Sequence, residues 1–446
     1  MTQSWRTGLG AFRFVAAGQI ASSLGNEISA FAFTIWAFEK TGSVGALGLL
    51  LFFNIIPYLI VLPFAGVIVD RVDRRWLMML SDLVNFVVTA LFLLLSLAGA
   101  LEVWHLYAGV VVIGAAYAFQ EPAFVSAMGS MLKPDEFPKA SGALGLVDAT
   151  RALGGPALGA ILYPAIGLSG VIIVDLLTFI PALLTLLLIH IPPHDPSKVK
   201  RQLRWLEETT FGFKYIFKRT HMVLLILCSA LFNLAWGISQ AMQPALILAR
   251  SDETTLAVVR TVTGIGGLIA GLAISTWGAP KPRIVGVIAS IAVYGASLAL
   301  TGIGTEVIVW SAATFVGMLV FPLLGASTGA IWMRKSDPAI QGRLLAARRL
   351  VIFGATPIGS LLAGPLGDGW LKGAMQPGGA LANTFGWLVG VGSGSGFALA
   401  LVFAGVFQLG IAASALLNPL VRNVERIEPD YVPPESEQIT GEARAA

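Results

Sequence analysis

Charge is scarce in this chain. Only 12% of its 446 residues are Asp, Glu, Lys or Arg, about half of the roughly 25% usual in a soluble domain. With 56% hydrophobic residues and a mean hydropathy of +0.79, an ordinary soluble globule and a disordered chain are both excluded. Cysteine is scarcer still. The single Cys228 lies in an apolar run, so no intrachain disulfide and no cysteine-based metal site can form. The four histidines, His105, His190, His194 and His221, sit near the ends of apolar runs. Neither a His-Glu-x-x-His nor a Gly-x-Ser-x-Gly pattern occurs, which argues against a membrane-embedded hydrolase. No Walker-type phosphate loop occurs, which argues against direct drive by ATP. Nothing in the sequence calls for a cofactor or a metal.

Long apolar runs are abundant. About 20 apolar residues span the hydrocarbon core of a bilayer, and a spanning chain must pair its backbone groups internally, as helices or as a closed barrel. The runs here are continuous and do not alternate in ten-residue segments, so helices are expected. Their spans fall at 10–38, 44–69, 76–99, 103–131, 139–166 and 168–190, then at 221–249, 255–278, 283–303, 306–333, 343–367 and 394–418. This predicts an all-α integral membrane fold of twelve transmembrane helices in two six-helix halves, 1–190 and 220–421. A linker, 191–219, joins them, and a tail, 422–446, is expected to be disordered. In the linker, Trp205, Phe211, Phe213, Ile216 and Phe217 interleave with Lys214, Lys218 and Arg219, which predicts an amphipathic helix on the lipid surface. Arg6 and Arg13 open the first run, and no small-residue cleavage site follows, so it reads as a retained span.

The net charge of +4 does not point to nucleic acid, because the basic residues cluster in alternate turns between spans. Arg71, Arg74, Arg75, Lys133, Lys139, Lys281, Arg283, Arg334, Lys335 and Arg343 fall on one side with the linker; Lys40, Arg250 and Lys372 fall on the other. The basic side of a membrane protein stays in the cytoplasm. Both termini are therefore expected in the cytoplasm, as in a multi-pass plasma-membrane protein. The turn at 368–393, rich in glycine and aromatic residues, is expected outside as a lid or interfacial hairpin.

One basic turn carries a motif. Gly66, Asp70, Arg71, Arg74 and Arg75 match a Gly-x-x-x-Asp-Arg-x-Gly-Arg-Arg signature, with Asp73 in place of the second glycine. With six plus six spans, this resembles the major facilitator superfamily. Pro57 and Pro63 in the second span, Ser23-Leu24-Gly25-Asn26-Glu27, Phe119-Gln120-x-Pro122-Ala123 and Gln341-Gly342-Arg343 resemble its enterobactin-exporter and macrolide-efflux branch. The resemblance implies a gate latch in which Asp70 meets Arg343 or Arg348. Gly155, Pro156 and Gly159 resemble the superfamily's antiporter signature, from which Arg151 and Ala160 depart. The family further implies alternating access between two halves, with proton-coupled efflux of a bulky amphipathic molecule such as a siderophore, peptide or macrolide-like product. The alternative is an importer or facilitator of a small organic solute on the same fold. The partners implied are the lipid bilayer, the organic substrate and protons, with the protein working as a monomer.

Charges within spans need a reason, because a carboxylate or guanidinium at mid-bilayer costs about 2.5–3.5 kcal/mol on insertion scales. Glu27 in the first span is the leading candidate for coupling or substrate contact, with a permanent ion pair to Arg151 or Arg260 as the alternative. Glu121 is the second candidate. Asp148 and Arg151 lie three apart on one helix face and read as a structural pair or a coupling site. Asp175 reads as structural. Asn54, Asn85, Gln120, Asn233, Gln240 and Gln243, with Phe31, Phe33, Trp36 and Trp236, could line an aromatic, hydrogen-bonding cavity.

Overall fold

The computed structural model describes residues 8–69, 71–132, 136–189, 205–337 and 340–431. The side chains of 67, 129, 137–153, 205–210 and 342–343 also fall outside this set. All regular structure among the described residues is helical. The long helices are α1 (Gly8–Thr41), α2 (Val44–Val69), α3 (Arg74–Leu97), α4 (Val103–Met131) and α5 (Phe137–Leu188). A short α6 (Trp205–Phe217) precedes α7 (Thr220–Arg250), α8 (Glu253–Trp277), α9 (Arg283–Ile303), α10 (Val307–Lys335) and α11 (Gln341–Gly364). The chain continues through a π-helical segment (Pro365–Leu371) to α12 (Lys372–Ala374), α13 (Ala382–Val389), α14 (Ser395–Leu417), α15 (Pro419–Arg422) and α16 (Val424–Ile427).

Ten of the described segments are long and apolar enough to cross a membrane. At 34 residues α1 is long enough, but it carries Gln19, Asn26 and Glu27 and is not among them. The segment Gly154–Leu188 has 35 residues, about 50 Å of continuous helix at 1.5 Å per residue, far more than the ~30 Å core. It breaks at Gly167, whose φ of 65° and ψ of −177° are non-helical; that positive φ suits glycine. Contacts with α1 show that the chain reverses there. Glu27 and Phe31 pack on Gly155 and Gly159, so 154–166 runs parallel to α1. Gly18 and Gly25 pack on Thr185 and Thr178, so 168–188 runs antiparallel to it.

Small residues set these distances, as expected where lipid tails compete for every apolar contact and only close packing favours helix pairing. At Gly48 a Cβ would lie 2.1 Å from the Ser360 carbonyl oxygen, and at Gly359 2.0 Å from that of Leu234. Helices α1 to α5 pack among themselves, as do α7 to α11 with α14; α2 against α11 and α5 against α8 join the two groups.

Two segments differ from the sequence expectation. Helix α6 forms, but it packs on α11 and α7. Ile216 is buried there while Phe211 and Phe217 stay exposed, so one side of the helix is packed on protein. The tail is ordered as far as Tyr431, and its acids explain why. Glu425 accepts from the Ile284 amide at the start of α9 (2.9 Å). Glu428 meets Arg219 Nε at 2.8 Å and His221 Nε2 at 2.6 Å. Asp430 meets Arg334 at 2.5 Å and Lys335 at 2.8 Å; hydrogen bonding to Lys335 and the nearby Arg334 charge hold its carboxyl below the usual carboxylate range. The segment therefore straps the basic ends of α7, α9 and α10. Residues 432–446 lie outside the described set.

Candidate functional site

A cavity of about 220 Å³ lies between the two helix groups. Glu27 of α1 and Pro156 of α5 line one side. Trp236, Ser239, Gln240 and Gln243 of α7, Arg260 and Thr263 of α8, Tyr294 and Ser297 of α9, and Thr314 and Met318 of α10 line the other. Helical spacing explains the α7 set, since positions 236, 239, 240 and 243 share a face. The aromatic wall is built tightly. The Trp236 ring lies 4.4 Å from Phe321 and 5.7 Å from Tyr294, and Phe232 lies 4.8 Å from Tyr294. Tyr294 Oη is 3.0 Å from Ser239 Oγ, and Arg260 Nη1 donates to Gln240 Oε1 at 3.2 Å.

Glu27 lines the cavity, and its backbone rests on Gly155, where a Cβ would come 2.4 Å from the Glu27 Cβ. The Gly155-Pro156-x-x-Gly159 stretch thus seats α5 against α1 beside the cavity. Glu27 and Arg260 form no ion pair, and among the described residues the guanidinium's hydrogen-bond partner is Gln240. Asp148 and the Arg151 side chain lie outside the described set.

Glu121 is not in this cavity. It belongs to a second polar group that bridges the helix groups. Tyr58 Oη of α2 donates to Glu121 Oε2 of α4 at 2.6 Å, and Arg349 Nη2 of α11 donates to Tyr58 Oη at 2.7 Å and lies 3.3 Å from Glu121 Oε1. Arg349 also lies over the Tyr58 and Phe353 rings, at 5.9 and 5.8 Å. Gln120, one residue away, faces the opposite direction into a buried network. It donates to Asp82 Oδ1 at 2.6 Å and to Gln19 Oε1 at 2.9 Å, and Gln19 donates to Asp82 Oδ2 at 3.1 Å. Asp82 is wholly buried, and such a group is tolerated only when hydrogen-bonded.

The other polar candidates divide. Gln240, Gln243 and Trp236 reach the cavity. Phe31 and Phe33 join apolar clusters, and Asn85 and Asn233 are buried among the helices. Asp175 is buried between α1 and α5, against Gly25.

The basic turn ties three helices together. Asp73, in the place of the motif glycine, is the N-cap of α3 and accepts from the Arg75 amide at 2.8 Å; a carboxylate there satisfies a helix-end donor. Buried Arg74 donates to the Ser126 carbonyl of α4 at 3.0 Å. Arg75 donates to the Leu186 and Leu187 carbonyls at 2.6 and 2.8 Å, unpaired acceptors at the end of α5. Arg71 and Gly66 are exposed. Asp70 and the Arg343 side chain lie outside the described set, so the expected latch is not described. Arg348 takes another partner, Thr328 of α10, at 2.7 Å.

At the opposite end, Asp368 of the π-helical segment crosses to α2. Its carboxylate accepts from Ser43 Oγ (2.6 Å), the Gly45 amide (2.7 Å) and the Val44 amide (3.2 Å). Lys372 reaches the Gly42 carbonyl at 3.3 Å. The 368–393 stretch is thus neither free lid nor isolated hairpin at its start; it clamps the first turn of α2. Tyr58, Asp82, Arg349 and Asp368 escaped the sequence reading. Asp82 and Arg349 left a signal there, each a charge inside a predicted span.

The chain is 26% identical to macrolide efflux protein A of Streptococcus pyogenes over 364 residues, 80% of this chain and 89% of that one. It is 22% identical to the multidrug efflux pump Tap of Mycolicibacterium fortuitum over 367 residues, 78% of this chain and 87% of that one. A bacterial homologue of the human lysosomal transporter Spinster, solved inward-facing and unoccupied, shares the fold with a TM-score of 0.70 at 15% identity, over 96% of this chain and 100% of that one. The nucleoside transporter NupG does so with a TM-score of 0.67 at 11% identity, over 91% and 98%. The Major Facilitator Superfamily family model matches residues 15–360. The chain belongs to the major facilitator superfamily.

Proposed function

We propose that this transporter exports a bulky amphipathic organic molecule by alternating access, driven by protons. Twelve spans form two six-helix halves. Two of them are the arms of α5, which reverse at Gly167. The polypeptide lies in the plasma membrane with both termini in the cytoplasm and works as a monomer. The observation that carries the reading is the cavity itself, lined from both helix groups and holding a carboxylate, a guanidinium and an aromatic wall. Midplane sites at the interface of two repeats are where such transporters bind substrate. At about 220 Å³ the cavity is below the roughly 300–1,000 Å³ of drug-sized pockets, so a bulky solute needs the halves to part. Efflux is favoured by the relatives named for macrolide and multidrug efflux.

The test compares medium and cell extract from deletion, wild-type and overexpressing strains by untargeted mass spectrometry. It is paired with solute movement in proteoliposomes with and without an imposed pH gradient. Export predicts a metabolite that is missing from the medium of the deletion strain and accumulated inside its cells, and flux that rises with the gradient. A compound left untouched in the medium of the deletion strain would reverse the direction. Flux indifferent to pH would remove the proton.

A further inference from the structure

Arg260 has no counter-charge among the described residues. It sits seven residues into α8, about 10 Å along the helix at 1.5 Å per residue. No carboxylate among the described residues lies within 4.0 Å of it. Its one hydrogen-bond partner is the neutral Gln240 oxygen. A guanidinium carries five N–H donors in a fork that fits carboxylate or phosphate oxygens. The unused ones are not enclosed, unlike Nε of Arg348, which is buried without a partner among the described residues. They open onto the cavity that Arg260 lines. Intramembrane cations normally pair with an acid or with backbone carbonyls; among the described residues this one meets neither, and it lines the cavity with Ser239, Gln243 and the Trp236 ring.

Resting on the export reading above, we infer that the transported molecule is an organic anion whose carboxylate or phosphate docks on Arg260 while its apolar ring system lies against Trp236. Gln240 holds the guanidinium in place. Gln243 and Ser239 supply further polar contacts. Glu27 on the facing wall disfavours a second negative charge, so a monoanion or a zwitterion fits better than a dianion. The preference runs opposite to that expected of a site for amine-bearing cations.

The purified full-length protein is tested with fusidate, its uncharged methyl ester and the cationic erythromycin, by thermal unfolding and tryptophan quenching. Fusidate should stabilise the wild type and bind about tenfold or more tightly than the ester, as loss of a charge-assisted contact implies. R260Q should erase the difference between acid and ester, and R260K should keep part of it. Equal affinity for acid and ester overturns the inference. So does an R260Q variant that binds fusidate as the wild type does, or a wild type that fusidate fails to stabilise at about millimolar concentration, the weak end of measurable affinity. Transport separates this from the parent reading. Proton-driven movement of erythromycin by R260Q at the wild-type rate overturns the anion site and leaves export standing. Arg260-dependent fusidate binding with no movement in proteoliposomes keeps the site and overturns export.

Discussion

Replacing Asp368 with alanine should release the end of the molecule where α2 meets α11. The carboxylate accepts three hydrogen bonds, from Ser43 Oγ and the Val44 and Gly45 amides. Two of these donors belong to the first turn of α2, where helix N–H groups have no internal acceptor and the dipole favours a negative charge. Ser43 keeps a role without Asp368, since its Oγ also accepts from the Ala46 amide at 3.2 Å. The loss is therefore smaller than three full charge-assisted bonds. Asp368 is half-buried, so about 1 kcal/mol per bond is a fair scale, or ~2–3 kcal/mol in all. That shifts a two-state equilibrium by roughly 30- to 150-fold. A closed end populated at about 100 to 1 would become comparable with its open form. The assay is a spin-label distance measurement between Ala100→Cys and Gly373→Cys, both exposed positions at that end, on a Cys228→Ser background. Asp368→Ala should add a long-distance population, and Asp368→Asn, which keeps an acceptor oxygen, a smaller one. An unchanged distance distribution in Asp368→Ala would refute the reasoning.

The remaining predictions concern other contacts. Glu121→Gln removes the charge that faces Arg349 and Tyr58, so proton-driven flux should fall about tenfold, the weight of a 1.4 kcal/mol change. Its pH profile should flatten, with protein yield unchanged; a wild-type profile would exclude Glu121 from coupling. Gly155→Val places a Cβ 2.4 Å from the Glu27 Cβ and 3.1 Å from its carbonyl carbon, so overpacking of about 1–3 kcal/mol should lower the detergent unfolding temperature. Gly66→Ala, where a Cβ meets nothing within 4 Å, should leave that temperature unchanged. The strap at Asp430 should be pH-dependent. Its carboxyl is held below its ordinary 3.8 by Lys335 and Arg334. The contribution is thus full above that value and is lost as pH falls through the lowered one. The protection factors of the 424–430 amides, corrected for the intrinsic exchange rate, should fall below about pH 4, the ordinary aspartate value, and be flat from pH 6 to 8; unchanged protection below pH 4 would refute the strap at Asp430.

Hydropathy and charge by themselves determined the helical membrane class and nearly every helix boundary. The predicted spans 44–69, 103–131 and 283–303 coincide with α2, α4 and α9. This follows because lipid demands internal backbone pairing, so length and apolarity alone define a spanning helix. The sequence also drew attention to Glu27, a carboxylate in an apolar run that costs energy to place there, and in the packed structure it lines the cavity. What it could not decide was who faces whom. Gln120 and Glu121 are neighbours in sequence, yet one serves a buried network with Asp82 and the other bridges to Arg349 of α11. Helix rotation about its axis sets that choice, and rotation is fixed by packing against other helices. Asp368 looked like a loop residue because its partners lie more than 320 positions away. Arg260 looked like one half of an ion pair with Glu27. Only the packed helices place it on the cavity wall with that acid, with a neutral amide at its side.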